Sequence, residues 1–176
     1  MQPGPCMAHD VFISYSEKDK TTADAVCAML ESEGIRCWIA PRDVTPGLEW
    51  SECIVDAIEQ ARVMVLIFSD NANNSVQVHR EVEHADHRSV KVLPMRIEDV
   101  PPARALEYFI EDLQWLDALT SPLDAHQKSL AGAVKALFGQ AQPGEELPKR
   151  DAAAEADQES RAKAGWKATG APAGAG

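Results

Sequence analysis

Apolar positions along the chain fall into two alternating rhythms, one of period two or unbroken and one of period 3.6. Val11-Phe-Ile-Ser-Tyr15 is a short β-rich run, and Ser16-Glu-Lys-Asp19 behind it has the form of a helix capping box. Ala23, Val26, Cys27 and Leu30 then follow the i, i+3, i+4, i+7 spacing of one buried helix face. Gly34 ends that helix where a left-handed residue is easiest. A strand over residues 35–40 comes next, followed by the turn-rich Pro41-Arg-Asp-Val-Thr-Pro-Gly47. Cys53, Ile54, Ala57 and Ile58 mark a second amphipathic helix over residues 50–61. Val63-Met-Val-Leu-Ile-Phe68 is apolar without alternation, as a central parallel strand covered on both faces requires. A polar link over residues 69–74 leads into a helix over about 75–87, and residues 90–95 read as a fourth strand. Residues 101–110 read as a loop with one helical turn, 113–116 as a short fifth strand and 123–138 as a closing helix.

Five strands alternating with helices imply right-handed crossovers and an open α/β domain, a parallel sheet with helices on both faces, for which 2-1-3-4-5 is the order we choose among those this class adopts. Ligands are expected beyond the carboxyl ends of the strands. The domain is placed at residues 9–140, behind a disordered start at 1–8. From residue 141 to 176 alanine, glycine and proline dominate and Trp166 is the one aromatic, so these residues read as a disordered tail or linker.

With 45% apolar residues the 176-residue chain has enough to bury one core. Its formal charge of -11 repels phosphate backbones and anionic lipid, so neither nucleic acid nor a membrane surface is an expected partner. The first residues lack a basic start and an apolar stretch, which makes a cytoplasmic location the simplest expectation. Cys6, Cys27, Cys37 and Cys53 show no metal-ligand spacing and read as free thiols, mostly buried. His79, Glu83 and His87 sit at i, i+4, i+8 but face away from the sheet, so they read as a solvated face, and no metal is expected.

The alternation alone suits several functions. The first and third strands end in Tyr15-Ser16 and Ser69-Asp70, without the acidic cluster a response regulator uses for magnesium. The first β–α turn holds no glycine for close approach to a phosphate. Neither Ser14 nor Ser69 has a histidine partner implied by the sequence, so a serine nucleophile has no support.

Three ordered segments carry a resemblance to a known family. Val11-Phe-Ile-Ser-Tyr-Ser16 resembles the first-strand motif of TIR (Toll/interleukin-1 receptor) domains. Gly34-Ile-Arg-Cys-Trp-Ile-Ala-Pro-Arg-Asp-Val-Thr-Pro-Gly47 resembles their second strand and following loop. Val78-His-Arg-Glu81 resembles the segment whose glutamate is essential in TIR enzymes that consume NAD+. The likeness spans about residues 9–138 and implies the flavodoxin-like TIR fold. For a bacterial-type member it implies an NAD+ glycohydrolase that releases nicotinamide and ADP-ribose or a cyclic ADP-ribose isomer, in antiphage defence or immune signalling. NAD+ is then a substrate, and no cofactor is expected.

On a helical wheel Val78, Val82 and Ala85 face the sheet, while Glu81 lies on one flank near Gln77 and His84. A flank carboxylate early in that helix reaches toward the ligand crevice, where it is suited to stabilise an oxocarbenium-like transition state. By the same resemblance Tyr15, Ser16, Trp38, Arg42 and Gln77 line the pocket, Gln77 standing where some TIR NADases place an aromatic residue. Asp43, Pro46 and Gly47 belong to the loop through which protomers associate. The alternative is a non-catalytic adaptor or microbial mimic acting through other TIR domains. The tail would suit a chain linked to a sensor domain.

Overall fold

The computed structural model describes residues 8–44, 47, 49–119 and 123–140. Cys6, Pro46 and the expectations for residues 1–7 and 141–176 lie outside them. The strands are β1 (Val11–Ser14), β2 (Cys37–Trp38), β3 (Val63–Phe68), β4 (Lys91–Arg96) and β5 (Leu116–Asp117). They form one parallel sheet in the order β2-β1-β3-β4-β5, the order expected. The helices are α1 (Lys20–Ser32), α2 (Trp50–Gln60), α3 (Asp70–Asn73), α4 (Val76–His87), α5 (Arg104–Ile110) and α6 (Leu123–Gln140).

Period-two geometry divides the strand residues between two cores. Val11, Ile13, Val63, Val65, Ile67, Leu93 and Met95 share one with the inner faces of α1 and α6. Phe12, Trp38, Met64, Leu66 and Phe68 share the other with α2, α4 and α5. All six residues of β3 are buried, which is why that stretch of sequence shows no polar alternation.

Some local expectations change. Ser16 makes no side-chain cap bond, and a 3-10 turn over Glu17–Asp19 precedes α1. Asp19, the other half of the expected capping box, instead accepts from Ser69 Oγ at 2.5 Å and Asn71 Nδ2 at 3.0 Å. The second strand is shorter than residues 35–40 because both flanks bond elsewhere. Ile35 N–H closes the end of α1 on the Leu30 carbonyl, and Ile39 N–H donates to the Asp43 carboxylate. Residues 69–74 are more than a link: Ser69 Oγ accepts from Ala72 N–H and caps the short α3. Within 101–110 a seven-residue helix forms, burying Leu106 and Ile110. The fifth strand starts later than residue 113, since Leu113 N–H and the Trp115 indole N–H both donate to the Ile110 carbonyl.

Leu66→Ala, in the middle of β3, is expected to lower unfolding stability by about 2–5 kcal/mol, whereas Val55→Ala on the exposed side of α2 changes it by less than about 0.5 kcal/mol. Urea denaturation of both variants measures this difference.

Candidate functional site

After β1 the chain turns to β2 on one side, and it later returns to place β3 on the other. The connections diverge at that point and leave a crevice beyond the carboxyl ends of β1 and β3. A cavity of about 660 Å³ lies there. Its walls are the β1–α1 segment with Tyr15, Ser16 and Lys18, the exit of β2 with Ala40 and Pro41, Trp50 at the start of α2, and the α3–α4 segment with Asn71, Asn74, Gln77 and Glu81.

Helix α4 begins where Ser75 Oγ accepts from Val78 N–H, and Val78, Val82 and Ala85 are fully buried against the sheet. Glu81 joins them with only 6% of its surface exposed, so it is a buried carboxylate and not a flank residue beside solvent. Ser14 Oγ donates to Glu81 Oε2 at 2.6 Å, and Gln77 Nε2 donates to Oε1 at 3.0 Å. Among the described residues no cation pairs with it. Burial therefore outweighs the two neutral donors, and the Glu81 carboxyl is pushed up to about 7. His84, expected near it, turns the other way and lies 3.1 Å from Glu59 on α2.

The other expected site residues divide into two groups. Tyr15, Ser16 and Gln77 line the cavity with Glu81. The Tyr15 hydroxyl donates to the Ala40 carbonyl, tying the first β–α turn to the exit of β2, and burial raises its phenol above the ordinary range. Trp38 and Arg42 do not line the cavity. Trp38 sits on the α2 face of the sheet, 4% exposed and stacked on Phe12 with centroids 5.1 Å apart. Arg42 clasps Glu31 with both Nη atoms, at 2.8 and 3.1 Å, and donates to the Cys37 carbonyl. It thereby ties the loop to α1 and does not itself line the cavity. In that loop Asp43 Oδ2 accepts from Ile39 N–H at 2.9 Å, and Gly47 takes a φ of +89° that favours glycine.

Trp50, Lys18, Asn71 and Asn74 are cavity residues that sequence reasoning missed. Trp50 had a signal: it extends the stripe of Cys53, Ile54 and Ala57 by one turn, past the end of the sheet, and is left 47% exposed at the cavity. Away from the cavity, His79 Nε2 lies 2.8 Å from the Asn73 carbonyl. Among the described residues no group of three metal-ligating side chains comes together. Cys27, Cys37 and Cys53 are buried free thiols.

A doubly wound α/β domain with a buried carboxylate at its topological switch point defines the class. Residues 11–131 match the family model described as TIR domain, and the chain belongs to that family. No curated protein matches it significantly. Among solved structures it is similar to the TIR domain of the Toll-related receptor TRR-2 from Hydra magnipapillata, with 22% identity and TM-score 0.62 over 72% of this chain and 98% of that one. A TIR-STING receptor from C. gigas shares 20% identity at TM-score 0.57, over 85% of this chain and 45% of that one. The CMP N-glycosidase BcmB of Clostridium botulinum shares 15% identity at TM-score 0.51, over 69% and 97%. At these identities the likeness is one of fold.

The raised Glu81 carboxyl has a consequence for stability. The folded state binds the proton more tightly than an unfolded chain with a carboxyl near 4.5, so Glu81 costs nothing below about pH 4.5 and progressively more as pH rises through 7. Glu81→Gln is therefore expected to raise stability by an order of 2–3 kcal/mol at pH 8 and by little at pH 4.5. Thermal melts at the two pH values measure the difference.

Proposed function

We propose that this TIR domain is an NAD+ glycohydrolase in which Glu81 stabilises the ribosyl cation that develops as nicotinamide departs. The observation that carries the reading is a carboxylate buried, among the described residues, without a countercharge at the wall of a cavity large enough for a nucleotide. In NAD+ the C1′–N1 bond breaks with its electron pair passing to the cationic nicotinamide ring, which leaves neutral and needs no general acid. Positive charge then builds on the ribose. A desolvated carboxylate beside it gains most in the transition state, when that charge is present, and little in the ground state. Water adds to C1′ and gives up a proton to yield ADP-ribose. Capture by an adenine nitrogen or a ribose hydroxyl of the same molecule gives a cyclic isomer instead.

Half-exposed Trp50 supplies a flat apolar surface for a base, and Lys18 supplies positive charge in a strongly acidic protein. Self-association through the loop around Asp43 and Gly47 is part of the same proposal, as is a role in immune signalling or antiphage defence inside the cell. A purely adaptor role is the second reading. It is favoured by Val76 and Tyr108, 65% and 83% exposed on α4 and α5, which offer apolar surface to a partner TIR domain.

Nicotinamide release by concentrated wild-type protein is expected to fall at least about 100-fold in Glu81→Ala. Because the ionised carboxylate is the working form, the wild-type rate should rise through a midpoint near pH 7. Equal release by the two proteins would remove Glu81 from the chemistry. Inactivity of the wild type in every assembly state would favour the adaptor.

A further inference from the structure

Ser14 is the last residue of β1, on a strand flanked by β2 and β3, and none of its surface is exposed. Its neighbour two residues back, Phe12, shows which face it occupies: the core shared with α2, α4 and α5. A hydroxyl there needs a partner, and the partner is Glu81 Oε2 at 2.6 Å. Gln77, the other donor to Glu81, stands one turn earlier on the same helix and travels with it. Among the described residues, Ser14 is the hydrogen-bond donor that ties the carboxylate to the sheet.

We propose that Ser14 is the positioning residue of this site: its hydroxyl fixes the Glu81 side chain against the end of β1 and leaves the carboxylate at the cavity wall, without itself meeting substrate. The inference rests on the reading of Glu81 given under Proposed function. Ser14 does not line the cavity, whereas Glu81 does. A glutamate without this anchor keeps three rotatable bonds to order at each turnover, and it loses the donor that favours its charged form. The remaining groups around the carboxylate are neutral Gln77 and Tyr15, whose phenol senses Glu81. Lys18, Lys20, Glu17 and Asp70 share the cavity walls.

The test uses the full chain with ¹³C-labelled glutamate, the Glu81 signal being identified by its absence in Glu81→Gln. In Ser14→Ala the Glu81 carboxyl midpoint is expected to move up by about one pH unit. Nicotinamide release at pH 7 should fall at least about fivefold with KM nearly unchanged, recover most of that loss at pH 9, and return in Ser14→Thr, which restores the hydroxyl. A general loss of fold would not shift the pH profile in this way. If Ser14→Ala does not fold, Ser14→Cys, a weaker donor of similar shape, is expected to move the midpoint in the same direction by less. An unmoved midpoint overturns the role of Ser14 whatever the activity. Glu81→Gln turning over NAD+ like wild type overturns instead the reading on which the role depends, and the midpoint shift in Ser14→Ala would still stand.

Discussion

Burying a carboxylate with no cation beside it among the described residues is the constraint around which this domain is arranged. Such a group costs several kcal/mol in an apolar setting, and two neutral donors of about 1.5–3 kcal/mol each offset only part of that. The result is a Glu81 carboxyl pushed up to about 7. The neighbouring parts of the crevice follow a similar plan. The central strands β1 and β3 lead into serines that donate to carboxylates, Ser14 to Glu81 and Ser69 to Asp19. Backbone ladders on either side make the sheet the rigid frame for both pairs.

That frame explains why the cavity lies where it does. The chain reverses its direction of sheet growth between β1 and β3, so α1 and α4 diverge and, among the described residues, leave a cavity between them. Tyr15 bonded to Ala40, and Asp43 bonded to Ile39, hold the far wall. Arg42 adds an exposed clasp to Glu31, the kind of surface pairing that contributes about 1 kcal/mol or less. Its task is to position the loop, and it does not reach the crevice.

The alternation of strands and helices, with helices on both faces, was legible because period-two and period-3.6 patterns survive in a parallel sheet covered on both faces, whereas strand order leaves no mark in either period. Val78, Val82 and Ala85 were read as the sheet-facing stripe of α4, and they are. Glu81 was harder. Its position on the helical wheel borders that stripe, and whether a bordering residue meets water depends on what lies across from it, here Ser14 from a strand 67 residues away. The misplacement of Trp38 and Arg42 has a related cause. Proximity in sequence to the β2 loop says nothing about which side of the sheet a side chain occupies, and Trp38 falls on the face packed by α2. The capping box at Ser16 failed because Asp19 found a tertiary partner, a competition no local pattern records. Trp50 was read as the first residue of its helix but not as part of the site, because nothing local shows that this end of α2 lies at the cavity.

A crystal structure of the Glu81→Gln variant with NAD+ bound tests the central claim most directly. The account predicts the nicotinamide ribose in the crevice, with a ribose hydroxyl within about 3.2 Å of the residue 81 side chain and a base against Trp50. NAD+ bound elsewhere, or bound in the crevice with its ribose beyond reach of residue 81, would contradict it.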